Sequence, residues 1–326
     1  MNTFEHILSH LENGQAITLK SHYHADEITR EISASTDAHT SLSFVASGEG
    51  YCLTETFLPK PRLIVLGGGH ISLPLVEMAA KVGFDPIVYD DRSAFANKAR
   101  FPAATQVICD DFAHLARHIT LLPTDYVCVL TRGHQHDILC LTTLFQSATQ
   151  AFYLGMIGSK RRIAVVKHQV LQADARYADQ LNTLHAPIGL PIGAMTPEEI
   201  AVSILAELIQ KRRKHTDGNT FRGECTADMD LLRHLVENPA TPSALVTILS
   251  TKGSTPRHSG AKMLICASGT IVGSIGGGCT EAEVIQIARD VLDVGGFRHM
   301  ILDLADKAEE LGMVCGGSME ILIEKI

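Results

Sequence analysis

Apolar and polar positions follow three different rhythms along the chain. Residues 2–12 carry Phe4, Ile7, Leu8 and Leu11 at helical spacing, which predicts a helix with one buried side. From residue 16 to 57 the period shortens. Ala16–Leu19, Ser41–Val45 and Tyr51–Phe57 read as strands of a small antiparallel element with polar and glycine-rich links. It holds too few apolar residues for a core of its own, so residues 1–58 are expected to pack on another domain.

Between 59 and 214 short apolar runs alternate with helical patterns. The runs Leu63–Leu66, Pro86–Tyr89, Thr105–Cys109, Tyr126–Leu130 and Phe152–Ile157 are strand-like, with helices expected over Ile71–Val82, Phe112–Ile119 and Ile138–Phe145. This alternation predicts an α/β fold with a doubly wound, parallel Rossmann-like sheet. A proline- and glycine-rich loop, 184–197, precedes a final helix. That helix has Thr196 as cap, Pro197 at its first position, two acids in its first turn and Lys211–Lys214 at its negative end. Residues 215–242 read as a polar linker with a short helix over Asp228–Glu237. A third rhythm fills 243–326, where strands at Ala244–Ser250, Lys262–Cys266, Thr270–Ser274, Met300–Leu304 and Met319–Ile323 surround a helix at Glu281–Leu292. This is a smaller α+β domain.

Composition narrows the classes of function. A net charge of −8 gives no electrostatic reason to expect nucleic acid. No apolar run approaches the roughly 20 residues of a membrane-spanning helix, and the mixed-charge start is unlike a signal peptide. The eight cysteines form no CxxC pair, and Cys109, Cys128 and Cys266 read as core residues of strands. Neither a metal site nor a disulfide framework is expected, and the setting reads as reducing and cytoplasmic.

The candidate chemistry lies in turns. Leu66 runs into Gly67, Gly68 and Gly69, then a helix, then a second strand ending at Asp90-Asp91, about twenty positions on. Glycines admit a pyrophosphate close to the backbone, the helix N-terminus favours its charge, and the acid is placed for a ribose hydroxyl. The third glycine of that fingerprint is Ser72 here, and a turn that only shapes the fold is the competing reading. Arg132 and His134 in the loop Thr131–Asp137, and Gly158 and Ser159 in Gly158–Arg162, follow other strand ends and are expected at the same edge. His136 and Asp137 extend that loop, read as a nucleotide or substrate contact rather than a metal site.

In the second domain, Gly276-Gly277-Gly278-Cys279-Thr280 leads into a helix with Thr280 as expected cap and Cys279 just outside it. A thiol there gains thiolate character, as a nucleophile, a sulfur carrier or a soft-metal ligand requires. Cys315 before Gly316-Gly317 repeats the arrangement. Two buried thiols beside structural glycines is the competing reading. The loop around Arg257, with hydroxyls and flanking cations, reads either as an anion clamp or as a solvated loop.

Together PRLIVLGGGHIS, VYDDR, LTRGHQHD, LGMIGSKRR and LHAPIGLPIGAMTPEEIAVSILAEL resemble the Rossmann domain of the XdhC/CoxI family. STKGSTPRHSGAKML, GSIGGGCTEAEV and LGMVCGGSMEILIE resemble that family's other domain, with the two in inverted order here. The resemblance implies a cytoplasmic accessory protein rather than an independent enzyme. Such a protein binds the molybdenum cofactor (molybdopterin) and helps sulfurate and insert it into a xanthine dehydrogenase-type molybdenum hydroxylase. It implies a homodimer and a cysteine desulfurase as a further partner. Gly67–Gly69 with His70 and Asp90 then match nucleotide-binding positions, and Cys279 and Cys315 match cysteines that contact cofactor or sulfur. The alternative from the residues is an NAD(P)-dependent oxidoreductase, with NAD(P) as cofactor.

Overall fold

A computed structural model describes residues 2–25, 27–35, 41–214, 229–253, 255, 257–276, 278–303 and 317–326. The chain divides into two compact units, one of Met1–Pro59 with Thr216–Ile326, the other of Lys60–His215.

The first unit begins with helix α1 (Thr3–Glu12), closed at its start by a capping box between Asn2 and Glu5. Strands β1 (Ile17–His24), β2 (Glu27–Ala34), β3 (Ser41–Ser47) and β4 (Gly50–Phe57) follow, paired antiparallel in the order β2-β1-β4-β3. Strand β2 is hard to see in the sequence because Arg30 interrupts the face that carries Ile28 and Ile32, leaving two separated large apolar residues to mark it.

The second unit alternates strand and helix. Its elements are β5 (Arg62–Leu66), α2 (Ser72–Lys81), β6 (Asp85–Asp90), β7 (Gln106–Cys109), α3 (Leu115–His118), β8 (Tyr126–Val129), α4 (His134–Phe145), β9 (Tyr153–Met156), α5 (Lys160–Ala173), α6 (Ala178–Thr183) and α7 (Pro197–Lys214). The sheet is wholly parallel with order β7-β6-β5-β8-β9. Strand β5 is central, and Leu63, Ile64, Val65 and Leu66 are each fully buried. Ile64 and Leu66 enter the cluster with Phe112, Leu141 and Val166, while Leu63 and Val65 enter the one with Leu75, Ala79 and Leu208. Successive side chains thus feed opposite faces, each burial worth roughly 1.5–3 kcal/mol, which is why the run is continuously apolar.

Helices α4 and α5 start at His134 and Lys160, so the expected loops are largely helix N-termini. Cys109 is a correction. It lies on the edge strand β7 and is exposed, whereas Cys52, Cys128, Cys140 and Cys266 are buried.

Returning to the first unit, α8 (Met229–Glu237) precedes β10 (Ser243–Gly253), β11 (Lys262–Cys266), β12 (Ile271–Gly273), α9 (Gly278–Val294), β13 (Phe297–Asp303) and β14 (Gly317–Lys325). This sheet is antiparallel, ordered β12-β11-β10-β14-β13. Alternation along β10 again splits the core. Leu245 packs with α1 and α8 through Phe4, Leu11 and Leu232, and Val246 packs with α9 through Val284 and Ala288. The N-terminal strands join by a cluster of Tyr23, Leu53, Leu249 and Leu322 and by buried ion pairs. Lys262 donates to Glu55 at 2.6 Å and Arg30 donates to Glu324 at 2.6 Å. Burial raises the Glu324 carboxyl, and Arg30 opposes that. Among the described residues no helix is long and apolar enough to cross a membrane.

Candidate functional site at the mouth of the parallel sheet

The order of strands places a crevice between the ends of β5 and β8, where connections leave for opposite faces and open α/β sheets bind ligands. The chain turns there at Gly67, whose N–H donates to Tyr89 O at 2.7 Å. Its φ is +114°, and an added Cβ would lie 2.4 Å from Leu130 O. Gly68 is tight for another reason, because a Cβ would meet Phe95 O at 2.1 Å. The segment after β6 thus lies directly against it. Gly69 is different: a Cβ there meets nothing within 4 Å.

Helix α2 opens without a side-chain cap and without an acid in its first turn. Among the described residues, the N–H groups of Gly69, His70 and Ile71 find no acceptor. Open space at Gly69 and a positive, uncapped helix end make a cradle that fits a phosphate. Ser72, standing where a third glycine was expected, is fully buried and donates to Gly67 O at 2.5 Å. The hydroxyl ties helix to turn, so the missing glycine does not hold them apart.

Asp90 is only 1% exposed and committed to the turn. It accepts from Gly68 N–H at 2.8 Å and from Arg92 through N–H, Nε and Nη2 at 3.0, 2.8 and 2.9 Å. A ribose hydroxyl reaches it only after Arg92 swings aside. Asp91 takes a two-pronged bond from Arg132, at 2.5 and 2.7 Å, which holds its carboxyl down at about 2. Arg100, which the sequence reading passed over, donates to Gly68 O at 3.2 Å and to Gly69 O at 3.4 Å. No motif marks it, since the residues of its loop follow no recognisable spacing.

The three strand-end loops converge as expected. Arg162 of α5 donates to Asp137 Oδ2 at 2.7 Å and Thr131 O at 3.0 Å, joining the ends of β9 and β8. Burial raises the Asp137 carboxyl, against Thr131 and Arg162, which lower it. Ser159 caps α5, accepting from Arg162 N–H at 3.3 Å, and Gly158 precedes it. His70 and His134 are exposed, and His136 packs its ring 5.4 Å from that of Phe112. His134 and His136 belong to the first turn of α4 rather than to a loop.

The second-domain candidates lie in the first unit. Helix α9 begins at Gly278, so Cys279 and Thr280 are within its first turn, earlier than expected. Gly276 N–H donates to Ser274 Oγ at 3.1 Å, and that hydroxyl donates to Glu281 at 2.8 Å, closing the turn on itself. Arg257 is half-buried between β10 and β11. Gly277 and Cys315, and the side chain of Cys279, lie outside the described residues. Among those described, no three His, Cys, Asp or Glu side chains are grouped to hold a metal ion.

Residues 63–208 match the family model of the XdhC Rossmann domain, and residues 238–304 match that of the XdhC and CoxI family. A protein of Bacillus subtilis (strain 168), described as a probable xanthine dehydrogenase subunit, is 36% identical over 159 residues, 48% of this chain and 44% of that protein. YqeB, an uncharacterized protein of Escherichia coli (strain K12), is 29% identical over 160 residues, 49% of this chain and 29% of that protein. The chain spans less than half the length of these two relatives. A crystal structure of a xanthine dehydrogenase from Bacillus halodurans superposes with a TM-score of 0.51 and 28% identity, covering 67% of this chain and 66% of the other.

Proposed function

We propose, for a chain whose two matched segments belong to the XdhC/CoxI family, that it is an accessory protein of a xanthine dehydrogenase-type molybdenum hydroxylase. It holds the molybdenum cofactor and assists its sulfuration and insertion. The observation that carries this reading is the uncapped start of α2 beside the open position at Gly69, a cradle suited to the phosphate end of such a cofactor. Gly69, His70 and Ile71 N–H groups bind that phosphate, while Arg100 and Asp90 hold the turn in shape.

When bound, the cofactor would supply the molybdenum centre that receives the terminal sulfur. The sulfur-handling role falls to Cys279 and Cys315, soft ligands suited to a thiophilic metal. Sulfur from a cysteine desulfurase and assembly as a homodimer belong to the same proposal.

The test is retention of isolated molybdenum cofactor by the full chain under anaerobic, reducing conditions, read as molybdenum per chain after gel filtration. The parent is expected to retain it, and Gly69→Ala, Cys279→Ser and Cys315→Ser to lose most of it. Equal retention by all four proteins would sink the reading.

A further inference from the structure

We propose that the sheet mouth selects a dinucleotide whose adenosine ribose carries a 2′-phosphate, with Arg92 as the selecting residue. The inference rests on the reading that the glycine turn takes a phosphate-bearing ligand. In a dinucleotide fold the acid ending the second strand accepts the ribose 2′-hydroxyl and repels a phosphate at that position. Asp90 occupies that place but cannot act so. It is buried, its oxygens accept from Gly68 N–H and from three Arg92 donors, and its charge is balanced by the guanidinium.

Arg92 is held ready for an anion. Its guanidinium stacks 3.8 Å from the centroid of Phe95, which fixes its plane, and its side chain stays 34% exposed. Nε and Nη2 grip Asp90, leaving Nη1 without an acceptor among the described residues. Arg100 lies over the same ring at 5.2 Å, and Arg132 neutralises Asp91. Arg92, Arg100 and Arg132 outnumber Asp90 and Asp91 around the turn, while Asp110 at the neighbouring strand end is engaged by His114 and His118. A hydroxyl finds no carboxylate to bind; a phosphate finds a preorganised cation.

Calorimetric titration of the full chain with NADP+ and NAD+ tests this. NADP+ is expected to bind at least about tenfold tighter, the worth of one charge-assisted contact. Arg92→Ala should erase or invert the difference, because Asp90 is then free to accept the 2′-hydroxyl of NAD+ and to repel a 2′-phosphate. Arg92→Lys, which keeps a cation beside Asp90 if the alanine variant fails to fold, should keep the preference in reduced form. Equal or tighter binding of NAD+ by the parent overturns the inference alone, as does an unchanged ratio in either variant. Binding of neither nucleotide overturns the inference but leaves the molybdenum-cofactor reading of the turn standing, which the retention experiment tests separately.

Discussion

Arg162 and Asp137 form an ion pair at 2.6 Å, with the carboxylate wholly buried and the guanidinium one-quarter exposed. The pair joins two strand-end loops of the same crevice. Removing the cation strands a buried acid, so Arg162→Met is expected to cost about 3 kcal/mol, the lower end for a broken buried pair. Adding Asp137→Asn should recover part of that loss. Urea unfolding followed by far-ultraviolet circular dichroism reads both, and a neutral Arg162→Met would contradict the assignment.

The three glycines of the first turn should separate cleanly on substitution. Gly67→Ala and Gly68→Ala force a Cβ to 2.4 and 2.1 Å from carbonyl oxygens, and both are expected to destabilise by about 3 kcal/mol or more. Gly69→Ala meets open space and should stay within about 0.5 kcal/mol of the parent. It should nevertheless weaken phosphate-bearing ligands at least about tenfold, because the methyl occupies their place. Thermal unfolding paired with calorimetric titration distinguishes the outcomes.

The pairing of Asp91 with Arg132 makes stability depend on acid pH. The folded carboxyl sits at about 2 against an ordinary 3.8, so the unfolded chain binds more protons in that window. The stabilisation is complete above it and is lost as pH falls through it. Arg132 is 40% exposed, which limits the pair to about 1 kcal/mol. Unfolding of the parent and Arg132→Gln should therefore differ by that amount at pH 7 and converge toward pH 2. A constant gap would show that Arg132 acts by packing alone.

Cysteine accessibility gives a simple chemical readout. Brief treatment of the native protein with iodoacetamide should modify Cys109, and leave Cys52, Cys128, Cys140 and Cys266 intact. Burial also pushes the Cys128 and Cys140 thiols up, which lowers their reactivity further. Peptide mass spectrometry after quenching identifies the modified sites. Labelling of Cys128 ahead of Cys109 would contradict the packing of the central strand.

Much of the fold is written in the hydrophobic periods. Leu63–Leu66 and Tyr126–Val129 are buried on both faces, and such strands declare themselves as unbroken apolar runs. Strand β2 does not, since Arg30 interrupts the face of Ile28 and Ile32 and two separated apolar residues are too few to declare a period. The start of α4 is hidden for a related reason. Gly133 is its N-cap and gives no capping side chain to signal a boundary, so His134–Asp137 reads as loop. Cys109 is misread because an apolar run indicates a strand but not whether the strand lies at a sheet edge.

The candidate site is legible as a glycine turn and an acid, but not in how each is used. Motif spacing puts Asp90 at the ribose, whereas the structure engages it with Gly68 and Arg92. Only three-dimensional contacts distinguish Gly67 and Gly68, which let chain segments meet, from Gly69, which leaves room. Arg100 is invisible for the same reason: its partners are carbonyls more than a helix away in sequence.

Tyr23 and Glu324 meet across 301 positions of chain, with the whole parallel-sheet unit between them. During synthesis, therefore, the middle of the polypeptide can complete its core while the opening strands still lack their partner. Those strands must wait for the final ones to leave the ribosome, carrying uncovered apolar faces in the meantime. Slow translation of residues 229–326 would lengthen that exposure, and aggregation of nascent chains should begin with strands β1–β4.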